Sequence, residues 1–315
     1  MIIKQLLLAG SLVATTAAAP AGVEVTAPGP QGALAGTLID PGKDAPAVLI
    51  IPGSGPTDRD GDNPLGVKGG VYRQLAEALA ARNIATLRID KRGMFGSKAA
   101  VADANAVTIG DYAADAHAWA DMLGKRSGRP CVWLLGHSEG ALVALQAAQN
   151  PAGICGLILV SGAGRPLGEV IRAQLRANPA NAPLLPQGEA AIDQLEAGKR
   201  VPAATLPAPL QPLFNDRVQG YLIDMFAHDP AKLIAAVKLP VLIVLGDKDI
   251  QIAVADAELL KRAQPAATLK LIPGINHVLK PVASDDRAAN VATYGDASLP
   301  ISPAVPDTIA AFVRK

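Results

Sequence analysis

The sequence predicts an α/β protein with a mostly parallel central sheet that is covered by helices on both faces. Apolar runs bounded by turn residues recur along the chain: AVLIIPG, IATLRID, CVWLLG, GLILVSG, VLIVLG and TLKLIPG. Stretches with helical periodicity, such as VYRQLAEALAARN and DYAADAHAWADMLGKR, lie between them. Because the runs are apolar throughout, they suit strands that are buried on both faces of a parallel sheet, with the helices as crossovers.

The first residues, MIIKQLLLAGSLVATTAAAPAG, place one lysine before an apolar stretch that ends in small residues. This layout is typical of a secretory signal peptide, here residues 1–21 with cleavage after Ala21. A buried N-terminal helix or a membrane anchor is the weaker interpretation, because the apolar stretch is short for a membrane span and is followed by Pro and Gly. We therefore expect a periplasmic or secreted protein with no stable membrane anchor after cleavage.

The next segments, VEVTAPG and GALAGTLID, predict a short antiparallel pair of strands with a turn at residues 28–30. Further along, between Val160 and Val241, helix-like segments are separated by Pro-rich connectors. A structureless loop of that length is improbable in a compact domain. We therefore predict a helical cap over residues 163–237, inserted into one α/β domain formed by residues 22–162 and 238–315, where it shapes the substrate pocket.

The balance of charges argues against nucleic acid as a partner. The chain has 29 Lys and Arg against 28 Asp and Glu, a net charge of +1, and no run of basic residues that could follow a phosphate backbone. The aromatic content of 3% argues against a broad aromatic-lined pocket, although a cap could supply aliphatic walls.

Only two cysteines occur, which excludes a disulfide-dense scaffold and a Cys-rich zinc site. Cys131 and Cys155 each begin a predicted strand, and we expect the two strands to be neighbours in the sheet. A disulfide would suit an oxidising compartment, but the sequence leaves two buried thiols as an equal alternative.

The clearest chemical motif is GHSEG at residues 136–140, placed after the apolar run CVWLL and before the helix-like ALVALQAAQN. A tight turn from strand to helix has no room for flanking side chains, which explains the two glycines, and it exposes the hydroxyl of Ser138. The following helix also directs its N-terminal amides at developing negative charge. Ser138 is therefore the candidate nucleophile.

A serine hydroxyl needs a base, and the base needs a carboxylate that holds it in one tautomer. His277 lies just past the last predicted strand and is the candidate base, whereas packed, solvated or structural roles suit His117, His228 and His137 better. Two carboxylates follow the strand VLIVLG: Asp249 is the candidate acid, and Asp247 is the alternative.

An oxyanion hole needs two backbone donors aimed at one point. The amide of Glu139, the residue after the nucleophile, is the first candidate, and the amide of Ser54, in the Gly-Ser-Gly loop after AVLIIP, is the second. The alternative is that this glycine pair only makes a turn.

Two other motifs resemble cofactor or metal sites and are set aside. The sequence DRDGD at residues 58–62 has its glycine at the fourth position of a calcium loop rather than the sixth, and Gly69 occupies the place of the terminal glutamate. The Gly-x-Gly at residues 53–55 lacks the third glycine of a dinucleotide fingerprint. We expect neither a cofactor nor a metal.

Four segments together resemble exported bacterial α/β-hydrolases of the esterase and serine aminopeptidase-like branch. They are PGSGPTDRDG from Pro52, LRIDKRGMFGS from Leu87, GHSEG, and PGINH ending at His277. The resemblance covers nearly the whole mature chain and implies the α/β-hydrolase fold, the triad in the order Ser138, Asp249, His277, and the acid at the fourth position of Gly-x-x-Asp. Pro52 departs from the wider superfamily, in which many esterases have His before the glycine. We expect the DKRG segment to form an ion-pair cluster near the pocket, with direct substrate binding as the alternative.

The expected function is hydrolysis of a small-molecule carboxylic ester through an acyl-enzyme intermediate. An aminopeptidase or amidase could use the same triad, and Glu169, Glu189 or Glu196 of the cap facing the pocket would favour it, because such an enzyme must hold an α-ammonium group. A lactone hydrolase would differ only in the pocket, and a non-catalytic binding protein is the alternative from another class.

Overall fold

A computed structural model describes residues 21–314 of the chain. Residues 1–20, which form all but the last residue of the predicted signal peptide, lie outside the described residues. Eight strands form one sheet in the order β1-β2-β4-β3-β5-β6-β7-β8. Their bounds are β1 Val23–Ala27, β2 Leu34–Ile39, β3 Ala47–Ile51, β4 Ala85–Ile89, β5 Val132–His137, β6 Ile154–Val160, β7 Val241–Gly246 and β8 Thr268–Ile272. The first two strands pair antiparallel and β3 to β8 run parallel, as the sequence predicts.

Ten α-helices accompany the sheet in the described part of the chain. Their bounds are α1 Val71–Ala80, α2 Ile109–Ser127, α3 Glu139–Ala147, α4 Leu167–Ala177, α5 Leu185–Glu196, α6 Gln219–Phe226, α7 Pro230–Ala236, α8 Val254–Ala263, α9 Arg287–Ala292 and α10 Ala304–Val313. Short 3-10 helices occupy Phe95–Ala100, Pro179–Leu184, Ala203–Thr205, Ala208–Leu210 and Thr293–Gly295. Within residues 21–314, no helix combines the length and the apolar character needed to cross a membrane.

Two separate hydrophobic cores lie on the two faces of the sheet. Along β3, Leu49 faces one core together with Trp119 of α2, while Val48 faces the other together with Leu75 of α1 and Ile309 of α10. All five residues of β3 are buried, because successive side chains point to opposite faces and both faces are covered. The prediction of a parallel sheet with helices on both sides is confirmed.

One strand departs from the expected burial. The run TLKLI forms β8 at the edge of the sheet, and four of its five residues are partly or fully exposed. Its apolar composition predicted a strand buried on both faces, which is wrong because an edge strand has a neighbour on one side only.

The long connection between β6 and β7 holds helices α4 to α7. Ile171 of α4, Ile192 of α5 and Leu222 of α6 belong to the same continuous core as the strands below them. This connection therefore packs directly on the α/β sheet, over the edge where the parallel strands end.

The cysteines form a disulfide. Cys131 and Cys155 lie at the start of β5 and β6, which are neighbours as predicted, and their Cα atoms are 5.1 Å apart. Both residues are partly exposed. Of the two alternatives that the sequence left open, the pair of buried thiols is wrong, because adjacent parallel strands bring the two side chains together.

Candidate active site

The sequence GHSEG forms a sharp turn between β5 and α3. Ser138 has φ 55° and ψ −119°, a backbone conformation that non-glycine residues seldom adopt. A Cβ atom on Gly136 would lie 2.0 Å from the carbonyl oxygen of Gly140, and a Cβ on Gly140 would lie 2.3 Å from that of Ile51. The two glycines are therefore required by close backbone contacts, and the turn directs Ser138 towards a cavity that it lines.

Asp249 and His277 meet above the ends of β7 and β8. The Nδ1 atom of His277 lies 2.8 Å from Oδ2 of Asp249, whose side chain is fully buried. The other carboxylate oxygen, Oδ1, accepts the amides of Gln251 at 2.8 Å and Ile252 at 2.9 Å. Burial acts to raise the pKa of Asp249, but the His277 ring and these two amides hold it below its usual value. The acid is thus kept ionised and fixed in orientation.

The alternative acid, Asp247, has a different position. It is exposed, and its Oδ1 atom accepts the amide of Gly274 at 2.7 Å in the turn that follows β8. Asp247 therefore supports the loop that carries His277, while Asp249 contacts the ring itself.

Ser138 and His277 line the same cavity, a space of about 90 Å³ that Tyr72 and Tyr294 also border. A hydrogen bond between the Ser138 hydroxyl and the His277 ring is not among those of the described residues, and such bonds are often long in the absence of substrate. His117 lies 3.1 Å from the carbonyl oxygen of Ala147, away from this cavity.

The two candidate oxyanion donors border the cavities around Ser138. Ser54 lies in the loop after β3 and Glu139 is the first residue of α3. A Cβ atom on Gly53 would be 3.3 Å from Cβ of Ser138, so this loop runs directly beside the nucleophile. The amide of Gly53 donates elsewhere, to the Tyr72 hydroxyl, which leaves Ser54 as the next donor along the loop.

A buried chain of hydrogen bonds connects this loop with the candidate base. The carbonyl oxygen of His277 can only accept, so His137 carries its proton on Nε2, 2.8 Å away. Burial and the neighbouring His277 ring lower the pKa of His137 to about 3, which keeps the ring neutral. Its Nδ1 atom therefore accepts from the Tyr72 hydroxyl at 2.8 Å, and the Tyr72 oxygen accepts the amide of Gly53 at 2.9 Å.

Through these hydrogen bonds, His137 and Tyr72 act as positioning residues for the loop after β3 and for the loop that carries His277. The sequence assigned a structural role to His137 but gave no role to Tyr72. Tyr72 lies on the buried side of α1. From the sequence, its place in the helical pattern predicts only a residue that packs in the core. Its contact with His137 joins residues that are 65 apart in sequence, so no local pattern could have revealed it.

The loop that carries His277 is also held by buried polar groups. Asn276 donates from Nδ2 to Asn290 at 3.0 Å and to Thr293 at 2.7 Å, and its Oδ1 accepts the amide of Lys280. The ammonium group of Lys280, which is buried, donates to the carbonyl oxygens of Thr293 and Asp296. Together these bonds fix the backbone on both sides of the base.

Residues 90–92 form ion pairs near the pocket, as the DKRG segment led us to expect. Asp90 pairs with Arg59 at 2.7 Å, and Arg92 binds Asp115. Lys91 lies 3.0 Å from Oε1 of Glu139 and also donates to the carbonyl oxygen of Gly53 at 2.7 Å. Lys91 therefore connects the loop after β3, which carries the candidate oxyanion donor Ser54, with the first residue of α3.

The acidic residues of the DRDGD sequence serve the structure of the loop. Asp58 accepts the amides of Asp60 and Asp62 at 2.8 and 2.9 Å, and Asp60 pairs with Arg88. Over residues 21–314, no group of three or more His, Cys, Asp or Glu side chains is arranged to hold a metal ion.

Two larger cavities lie beside the site. One, of about 220 Å³, is bordered by α4 and α6 and has mainly apolar walls that include Leu142, Val170 and Ile171, and Ser138 also lines it. The other, of about 500 Å³, is bordered by Tyr112 and Tyr221. Both share Ser54 and Glu139.

The three glutamates of the predicted cap that could hold an α-ammonium group lie elsewhere. Glu196 pairs with Arg172 at 2.7 Å and Glu189 pairs with Arg176 at 2.6 Å. None of Glu169, Glu189 and Glu196 is among the described residues that line the three cavities around Ser138 and Ser54.

Comparison with known proteins identifies a family and a relative by sequence. A sequence model described as "Serine aminopeptidase, S33" matches residues 65–280. Esterase EstD of Thermotoga maritima is 28% identical over 245 residues, which cover 74% of this chain and 54% of EstD. The match thus spans about half the length of that relative.

Solved structures of low sequence identity share the fold. A thermophilic esterase from Thermogutta terrifontis aligns with a TM-score of 0.56 and 18% identity over 93% of this chain and 98% of its own. The esterase Pf2001 of Pyrococcus furiosus aligns with a TM-score of 0.58 and 17% identity over 93% and 90% of the two chains. The predicted α/β-hydrolase fold is confirmed.

Proposed function

The chain belongs to the serine aminopeptidase family of α/β-hydrolases, and from this premise we propose that it hydrolyses carboxylic esters through an acyl-enzyme intermediate. One observation carries the proposal: the buried Asp249–His277 pair faces the cavity that the strained turn at Ser138 also lines. This arrangement supplies a nucleophile, a base and an orienting acid in the order that α/β-hydrolases use.

In the proposed mechanism, Ser138 attacks the ester carbonyl while His277 removes the hydroxyl proton. Asp249 stabilises the imidazolium that forms, and the amides of Ser54 and Glu139 bind the oxyanion. His277 then protonates the leaving alcohol. In the second half-reaction, His277 takes a proton from a water molecule that attacks the acyl carbonyl; the bond to the Ser138 oxygen then breaks, His277 returns the proton to that oxygen, and the carboxylic acid is released.

The sizes and linings of the cavities indicate where the alcohol and the acyl group of the ester bind. The leaving alcohol must lie beside His277, because that residue gives it a proton. Of the three cavities around Ser138 and Ser54, His277 is among the described residues that line the one of about 90 Å³, which suits a small alcohol. The acyl group then extends into the two larger cavities, whose described lining does not include His277.

The charged residues around the site favour an ester as the substrate over a peptide with a free N-terminus. An aminopeptidase must hold an α-ammonium group with an anion, but the charge of the Glu139 carboxylate is already balanced by Lys91, which contacts its Oε1 atom at 3.0 Å. The cavity of about 220 Å³ is also bordered by a cation, Arg165, whose partner is the buried Asp256. Aminopeptidase or amidase activity therefore remains the second candidate.

The experiment that tests the proposal is labelling of the purified protein with a fluorophosphonate, followed by peptide mapping, alongside assays with methyl esters and aminoacyl anilides. We expect the label on Ser138, turnover of the esters and little turnover of the anilides. Turnover of the anilides alone would favour the aminopeptidase. Well-folded protein with neither label nor turnover would favour a non-catalytic binding protein.

We further propose that the chain is exported and cleaved after Ala21. The lysine, apolar stretch and small residues of the first segment support this, as does the Cys131–Cys155 disulfide, because such bridges persist in oxidising compartments. Expression of the full chain in a bacterium should give a periplasmic or secreted product whose intact mass matches a chain that starts at Gly22. A cytoplasmic product that keeps residues 1–21 would contradict the proposal.

A further inference from the structure

The cavity of about 500 Å³ is bordered by two buried oxygen atoms that lack a well-formed hydrogen bond to any described residue. Glu139 has a side chain that is only 3% exposed; its Oε1 atom contacts Lys91, but Oε2 has no partner. The hydroxyl of Tyr221, on the cap helix α6, is likewise buried without a partner. Both residues line the cavity. Buried polar atoms are nearly always satisfied in proteins, so this pair needs an explanation.

The two oxygens are in contact without a well-formed hydrogen bond between them. Burial, the charge of the Glu139 carboxylate and the contact of the Tyr221 hydroxyl with that carboxylate raise the pKa of the hydroxyl well above its usual value. The distance and angle of this contact fall short of a hydrogen bond, so neither oxygen has a well-formed partner among the described residues. A group from outside the chain could satisfy the two oxygens at once.

The chemistry of the pair selects a neutral hydroxyl group. A carboxylate Oε2 accepts only, and a phenol can donate, so the ligand must both donate to Glu139 and accept from Tyr221. A ligand carboxylate would be repelled by Glu139. A ligand ammonium could not accept from Tyr221, and it would meet Lys91, whose Nζ atom lies 3.0 Å from the other oxygen of the same carboxylate. A hydroxyl meets both requirements.

The walls of the cavity favour an aromatic group as the carrier of that hydroxyl. Phe95, Tyr112 and Tyr221 border it, and the rings of the two tyrosines meet edge to face with centroids 5.9 Å apart. Met94 and Met225 add sulfur atoms, which make favourable contacts with aromatic rings. The low aromatic content of the chain argues against a broad aromatic-lined pocket, and it could not reveal that three of the few aromatic side chains border this one cavity.

We propose that this cavity is an acyl subsite for esters of hydroxylated aromatic acids, in which the acyl hydroxyl donates to Glu139 Oε2 and accepts from Tyr221. The inference rests on the proposed ester hydrolysis and adds the substrate class. Ser54 and Glu139 belong both to this cavity and to the candidate oxyanion hole, so a carbonyl bound there has the subsite directly beside it.

A matched pair of substrates tests the subsite: methyl 3-(4-hydroxyphenyl)propanoate and methyl 3-phenylpropanoate, which differ by one hydroxyl. Because hydrogen bonds to charged groups are the stronger kind, we expect kcat/KM to favour the hydroxylated ester by about tenfold. The Tyr221→Phe variant should lose most of this preference. It should also fold, since the hydroxyl that it removes makes no well-formed hydrogen bond within the described chain.

The control variant is Tyr294→Phe, which removes a tyrosine hydroxyl from the cavity beside His277 and should keep the preference. Calorimetric titration of the Ser138→Ala variant with both esters repeats the comparison without turnover. Equal kcat/KM and equal affinity for the two esters, or a preference that survives in Tyr221→Phe, would overturn the subsite while leaving ester hydrolysis intact. Failure to hydrolyse either ester would overturn the proposed function and the subsite with it.

Discussion

Replacing Ser138 with alanine should lower kcat for hydrolysis of a methyl ester by about 10⁶-fold, as loss of the nucleophile does in other serine hydrolases. The remaining residues act as a unit around the hydroxyl, so His277 and Asp249 have nothing to activate without it. The alanine keeps the backbone of the turn, and the oxyanion donors stay in place. Release of acid in a pH-stat, or of alcohol by chromatography, measures the loss.

A matched control for this change is Ser127→Ala, which removes a hydroxyl at the end of α2 that donates, within the described residues, to the carbonyl oxygen of Leu123. Its kcat should match that of the unchanged protein. Thermal unfolding of both variants checks that the fold is preserved. Retention of ester turnover in folded Ser138→Ala protein would refute the proposed nucleophile.

Local sequence patterns were sufficient to predict the fold. The six apolar runs became β3 to β8 because a strand in a parallel sheet must be apolar on both faces, and the intervening amphipathic stretches became the crossover helices. Burial of the last run could not be predicted in the same way. Whether a strand lies at the edge depends on the order of strands in the sheet, and TLKLI does not differ in composition from a central strand.

The geometry of the site was predictable where chemistry imposes a spacing along the chain. The turn at Ser138 needs glycines at fixed positions, and the acid and base follow consecutive strands of the sheet. The Tyr72–His137 chain and the pair Lys91–Glu139 were not predicted as positioning contacts. They join elements that only the folded sheet brings together, across 65 and 48 residues.

The choice between the two carboxylates shows how the structure adds to a motif. In sequence, Asp247 and Asp249 are both acids just past a strand. In the structure, one is exposed and bonds a turn amide, while the other is buried against His277. The two acids lie in a tight turn, in which the amide of Asp249 donates to the carbonyl oxygen of Gly246 at 3.2 Å, and within this turn Asp247 is exposed while the Asp249 side chain is buried.

Replacing Asp249 with asparagine should lower kcat by about 10⁴-fold, because the base would take the wrong tautomer. The two backbone amides that bind Oδ1 can only donate, so the asparagine oxygen should stay with Gln251 and Ile252. Its NH₂ group would then face His277 and donate to Nδ1. The proton of the ring would move to Nε2, which could no longer accept the proton of Ser138.

The Asp247→Asn variant makes the same chemical change two residues away and provides the control. Its side-chain oxygen can still accept the amide of Gly274, and the residue is exposed, so kcat should change by no more than about twofold. Methyl ester turnover by both variants, with thermal unfolding to check the fold, measures the contrast. A large loss in Asp247→Asn together with retained turnover in Asp249→Asn would reassign the acid, because only the residue that orients His277 can fix its tautomer.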